Sequence, residues 1–99
     1  RKLTGDCDSL AASGTANGTL TTGVAISTST LSIASSKDFV YVKNTGSTEV
    51  VISLTTDATA KYVIALAAGE AFASDIDTNA NVRVKTLSGT STIEHFSVT

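Results

Sequence analysis

The strongest constraint on this chain is an apolar period of two, interrupted at short intervals by residues that favour turns. In Thr48-Glu-Val-Val-Ile-Ser-Leu-Thr55, Val50, Ile52 and Leu54 project to one side while Val51 and Ser53 project to the other, as a half-buried antiparallel strand requires. Asp38-Phe-Val-Tyr-Val-Lys43 precedes it across Asn44-Thr45-Gly46-Ser47, whose Asn and Gly tolerate the positive φ of a tight turn. This spacing predicts a β-hairpin. Its first strand is apolar on both sides, with Phe39 and Tyr41 opposed to Val40 and Val42, and so belongs in the middle of a sheet or beneath another subunit.

The same period recurs along the chain. Leu20, Thr22, Val24 and Ile26 share a face, and Leu31 and Ile33 form a shorter run. Lys61-Tyr-Val-Ile-Ala-Leu66 leads through a turn at Ala67-Ala68-Gly69-Glu70 into Ala71-Phe72-Ala73, and Asn81–Leu87 with Thr92–Val98 reads as a closing hairpin across Ser88-Gly89-Thr90-Ser91. Helix is disfavoured because Val, Ile, Thr and Ser dominate; the one tolerant stretch, Ile64–Ala68, is too short to stand alone. Thirteen Ser and seventeen Thr make 30 of the 99 residues, Thr suiting a pleated surface and Ser supplying turns. With 41% hydrophobic residues against 16% charged, there is apolar surface enough to offset the entropy of ordering. The expectation is an all-β fold, an antiparallel β-sandwich or small barrel of seven to eight short strands with Ig-like or jelly-roll-like connectivity. Residues 1–18, rich in Gly, Ala, Ser and Thr and without either period, read as an irregular N-terminal arm; residues 19–99 read as the single β-sandwich domain.

Charge excludes more than it suggests. Seven Lys and Arg against nine Asp and Glu, a net charge of −2, are scattered singly, with no basic stripe to neutralise phosphates, so nucleic acid is not an expected partner. No apolar run approaches the ~18 residues of a membrane span, and the opening residues lack the apolar stretch of a signal peptide, so no membrane is expected either. Cys7 is the only cysteine, which leaves no internal disulfide and no Cys-based zinc pattern. Its neighbours Asp6 and Asp8 disfavour a thiolate and argue against a nucleophile. Asn17-Gly18-Thr19 matches a glycosylation acceptor and equally a turn.

Four constellations merit a chemical reading. Asp75, Asp77, Asn79 and Asn81 place oxygen-bearing side chains at alternate positions, as at the start of a calcium loop. However, Ala80 stands where the sharp-turn Gly belongs, and Thr86 where the closing carboxylate belongs. We read a polar turn that bonds back to its own backbone. As an acid–base pair for glycoside hydrolysis, Asp75 and Asp77 would lie together on one strand face instead of flanking a cleft. His95, the only imidazole, sits beside Glu94 and between Ile93 and Phe96 with no Gly-x-Ser-x-Gly in the chain; a partly packed strand residue is expected. Arg83 and Lys85 share a face opposite Val82 and Val84, which reads as a solvated edge that blocks strand pairing, or as a contact for an acidic partner. Lys43 and Asn44, with Glu49 or Glu70, are the residue types of an intramolecular isopeptide bond resembling that of surface-pilin domains, although solvated turn chemistry is the simpler account. No catalytic, cofactor-binding or metal-binding residue is assigned, and no enzyme is expected.

Across residues 38 to 98, the order Tyr41-Val-Lys-Asn-Thr-Gly-Ser-Thr-Glu-Val-Val-Ile52, Leu66-Ala-Ala-Gly-Glu-Ala-Phe72, Val82-Arg-Val-Lys85 and Leu87-Ser-Gly-Thr-Ser-Thr-Ile93 resembles small virion structural proteins of tailed bacteriophages. In that group, a strand, an Asn-x-Gly turn and a second strand are followed by a Leu-x-x-Gly-Glu turn and a closing Ser-Gly-Thr hairpin. The resemblance implies a non-enzymatic capsid decoration (cement) protein, located in the virion after assembly in the host cytoplasm. Such a protein would be a homo-oligomer that binds the major capsid protein or other virion proteins through its arm and a sheet surface. Alternatives are a tail or fibre accessory protein, or an extracellular adhesion or carbohydrate-binding module, against which the few aromatics and the absence of Trp speak.

Overall fold

Eight strands form where the two-residue period runs, in a computed structural model that describes residues 19–99. The 1–18 arm, with Cys7 and Asn17, lies outside the described residues. The strands are β1 (Thr21–Ile26), β2 (Leu31–Ser35), β3 (Phe39–Asn44), β4 (Val50–Ser53), β5 (Tyr62–Leu66), β6 (Ala71–Asp75), β7 (Asn81–Thr86) and β8 (Ser91–Val98). They make two four-stranded antiparallel sheets, a first of order β1-β8-β3-β6 and a second of order β2-β7-β4-β5. Among the described residues there is no helix, hence none long and apolar enough to cross a membrane.

The pairing is nested. β1 pairs with β8, β2 with β7, β3 with β6 and β4 with β5, while β3 with β8 and β4 with β7 close the centre of each sheet. A ribbon of four strand pairs rolled into two facing sheets is the jelly roll; Ig-like connectivity is thereby excluded. Val40, Val42 and Ile93 from the first sheet meet Val50, Ile52, Val82 and Val84 from the second in one buried core. As its two apolar sides suggested, β3 is an interior strand, between β8 and β6.

Both expected hairpins are corrected by this topology. β3 lies in the first sheet and β4 in the second, so Thr45–Thr48 carries the chain between sheets instead of reversing it within one. The amides of Thr45 and Gly46 both bond to the Thr92 carbonyl of β8, which fixes the turn to a third strand. β7 and β8 are likewise in different sheets. Only β4 and β5 are consecutive strands that pair. Bulges also break the alternation expected near the start. Thr21 and Val24, three residues apart, pair with His95 and Ile93 on one face, because Gly23 at φ +64° takes up the extra residue. Leu20 therefore does not join Val24 in the core and remains exposed. In β2 an irregularity between Ser32 and Ala34 puts Leu31 and Ala34 opposite Val84 and Val82, so Ala34 joins Ile33 against the core while Leu31 remains exposed.

Candidate functional site

Asn44 ends β3 with its side chain turned into the interior, fully buried. Its Nδ2 donates to the Thr48 carbonyl at 2.8 Å and the Leu66 carbonyl at 3.0 Å. Its Oδ1 accepts from the Gly46 amide at 3.1 Å and the Ser91 hydroxyl at 2.9 Å. All four side-chain bonding capacities are thus filled, which is the condition for burying an amide without penalty. The Asn44 backbone adds a bond from its amide to the Glu70 carbonyl and one from the Gly69 amide to its own carbonyl. One residue therefore ties β3, β5, β8 and two turns together at one end of the sandwich. Outside this knot an open depression of about 580 Å³ is lined by Ile26, Ser27, Gly46, Ser47, Thr90 and Ser91, among others. Its hydroxyls can offer hydrogen bonds to a polar surface; that of Ser91 is already committed to Asn44.

The second locus is the outer face of the first sheet. Register places Tyr41 opposite Phe96 and Ala73, Phe39 opposite Val98 and Asp75, and Lys43 opposite Glu94 and Ala71. Tyr41 stacks on Phe96 with ring centroids 5.2 Å apart, and Phe39 tilts against Phe96 at 6.0 Å. The Tyr41 hydroxyl donates to Glu94 Oε2 at 2.7 Å. This is an aromatic cluster on the side of the first sheet that points away from the core, with Tyr41 and Phe96 buried and one carboxylate and one ammonium at its rim, built on the two interior strands of the sheet.

The sequence candidates are dispersed. Asp75 ends β6 in the first sheet, Asn81 opens β7 in the second, and Asp77 and Asn79 lie in the turn between them. Asp77 Oδ1 accepts the Asn79 amide at 2.7 Å and its carbonyl accepts the Ala80 amide at 2.8 Å, the backbone-bonded turn that was expected. The placing of Asp75 and Asp77 on one strand face is corrected, since the strand stops at Asp75. No three or more His, Cys, Asp or Glu side chains gather among the described residues as a metal would need. Lys43 and Asn44 are consecutive in β3 and face opposite sides. Lys43 is outward beside Glu94 and Asn44 inward in its knot, so the isopeptide pair is not brought together; Glu70 Oε1 instead caps the Ala67 amide at 2.7 Å.

His95 is half-buried on β8 opposite Val42, facing the core side, where desolvation lowers its pKa from 6.5. The edge reading of Arg83 and Lys85 is corrected, because β7 is an interior strand. Arg83 donates from both terminal nitrogens to the Asp57 carbonyl at 3.3 Å, and Lys85 Nζ sits 4.5 Å from the Tyr62 ring centroid. Both cations thus brace the β4–β5 connection. Sequence reasoning missed the Asn44 knot; its one signal was an Asn closing an otherwise apolar strand. No protein-family profile, curated protein or solved structure matches this chain.

Proposed function

We propose that this chain is a non-enzymatic structural protein of a bacteriophage virion, a capsid decoration protein that binds the major capsid shell through its 1–18 arm and the outer face of the first sheet. The observation that carries the reading is the Tyr41–Phe96–Phe39 cluster on the side of the first sheet that points away from the core, where Tyr41 and Phe96 are nonetheless buried: an apolar outer face of this kind is one that assembly contacts cover. The jelly roll supports it by analogy, being an architecture of viral capsid domains among others. A chain with a single cysteine also needs no oxidising compartment to reach its fold. Mass spectrometry of purified phage particles, together with co-sedimentation of the chain with undecorated shells, tests the proposal. Saturable binding and a copy number matching the capsid lattice are expected; absence from particles and from the shell pellet overturns it.

The open depression lined by Ser27, Ser47, Thr90 and Ser91 favours a second reading, a carbohydrate-binding module, since jelly rolls also serve lectins. Reproducible hits on a glycan array would favour that alternative.

A further inference from the structure

The edge strands of the two sheets are not equally protected against further pairing. β1 and β6 border the first sheet, β2 and β5 the second. The ladders that hold β1, β2 and β5 to their neighbours are each broken by a register shift, an irregularity that spoils an edge as a template for another strand. β6 has no such break: Ala71 to Asp75 run in unbroken register against β3, from Lys43 to Phe39. Its one charge, Asp75, stands at the strand's end, and no Pro or Lys blunts it.

The open side of β6 can be assigned residue by residue. The Asn44 amide donates to the Glu70 carbonyl at one end of the ladder, and the Ile76 amide donates to the Asp38 carbonyl at the other. In an antiparallel pair, residues bonded to the neighbouring strand alternate with residues whose amide and carbonyl turn away. Phe72 and Ser74 therefore bond to β3, while Ala71, Ala73 and Asp75 present their N–H and C=O groups outward. The Asp75 carbonyl accepts the Ser74 hydroxyl at 2.8 Å and keeps a second lone pair.

Charge selects what fits this edge. Antiparallel pairing of β6 with the β6 of a second copy, centred on Ala73, sets Ala71 opposite the partner's Asp75. Lys43 is opposite Ala71 on the other side, so one row across the outer face runs from Lys43 over Ala71 to the partner's Asp75. The two charged residues then stand two strand spacings apart, about 10 Å, with only the Ala71 methyl between them, a gap that a lysine stem lying on the sheet bridges. Neither Lys43 nor Asp75 has an ion-pair partner among the described residues, and within one chain they sit four residues apart along the ladder.

We propose that two copies of this chain join β6 to β6 about a two-fold axis, making one eight-stranded sheet from the two four-stranded first sheets, with a Lys43–Asp75 ion pair between copies at each end of the seam. Such an isologous contact closes on itself and uses up the unprotected edge of both copies. The inference stands on register and charge, independently of the virion assignment.

Sedimentation equilibrium of the full-length chain is expected to show a monomer–dimer equilibrium. Ala73→Pro removes an N–H that β3 does not use, so the fold, followed by urea denaturation, is expected to persist while the dimer is lost. Asp75→Lys sets two ammonium groups against each other at both ends of the seam and is expected to weaken the dimer about tenfold. Adding Lys43→Glu to that variant is expected to recover the affinity, because the pair re-forms with its signs exchanged. Asp75 is exposed at the strand end, so this exchange tests the interface without disturbing the core. A monomer at every concentration, a dimer that Ala73→Pro leaves intact, or a loss in Asp75→Lys that Lys43→Glu does not reverse overturns the proposal.

Discussion

The Ser91 hydroxyl donates to Asn44 Oδ1 at 2.9 Å across 47 residues of sequence, joining the start of β8 to the end of β3 inside the sandwich. Because Nδ2 of the same amide reaches carbonyls at Thr48 and Leu66, its removal unties three segments at once. Asn44→Ala removes the side-chain partner of two carbonyls and one hydroxyl in a buried site, while the Gly46 amide keeps its bond to the Thr92 carbonyl. A loss of about 3–5 kcal/mol is expected from urea denaturation, against about 1 kcal/mol for Ser91→Ala. The double variant should fall short of the sum, since the Ser91 bond is already absent from the Asn44 variant. A cost below about 1 kcal/mol for Asn44→Ala would show that the knot does not hold this end together.

Gly46 presents a different constraint. A Cβ there would collide with Ser91 Oγ and stand 2.6 Å from the Thr92 amide nitrogen, a backbone atom that cannot swing aside. Gly46→Ala is expected to lower stability by about 2–3 kcal/mol through overpacking. Gly23→Ala meets no atom within 4 Å and suffers only from its φ of +64°, for an expected cost of about 1 kcal/mol. Thermal melts of the two variants side by side check the order.

His95 imposes a pH dependence whose sign follows from its burial. Desolvation lowers its folded-state pKa below the 6.5 of the unfolded chain, so between the two values the unfolded state binds more protons and stability rises with pH. The penalty is fully present below the folded pKa and is gone above about 6.5. In His95→Gln the slope of unfolding free energy against pH over that interval should flatten, with the wild-type ring titrating below 6.5 by NMR. An unchanged slope would assign the dependence to other groups.

The aromatic face also has a measurable energetic role. Phe96→Ala is expected to cost about 3–5 kcal/mol, as for a large side chain removed from a buried site. Tyr41→Phe, which removes only the donor to Glu94, is expected to cost about 1–2 kcal/mol. Val63, 77% exposed, should tolerate Ser within about 0.5 kcal/mol. Chemical denaturation of the three variants sets the scale; a Phe96→Ala cost as small as that of Val63→Ser would mean that the face is solvated in solution.

Strand identity was legible in the sequence because pleating forces successive side chains to opposite faces, and a buried face then writes an apolar period of two. That sufficed to place β3, β4, β7 and β8, to recognise β3 as interior from Val40 and Val42 against Phe39 and Tyr41, and to mark the turns at Asn44–Ser47, Ala67–Glu70 and Ser88–Ser91. Partner choice was not legible. Asn-x-Gly chemistry reports that the chain bends, but the same φ values serve a hairpin and a passage between sheets. What separates them is whether amides such as those of Thr45 and Gly46 find the next strand or, as here, the Thr92 carbonyl of β8. The bulges at Gly23 and Ser32–Ala34 and the four-bond capture of Asn44 are likewise settled by residues distant in sequence. Sequence alone therefore determined an all-β sandwich with its strands in place, because backbone pleat and burial are local properties. The jelly-roll order, the interior position of Arg83 and Lys85 and the aromatic outer face were decided only in three dimensions, where each strand's hydrogen bonds and side chains are satisfied by partners that no local pattern names.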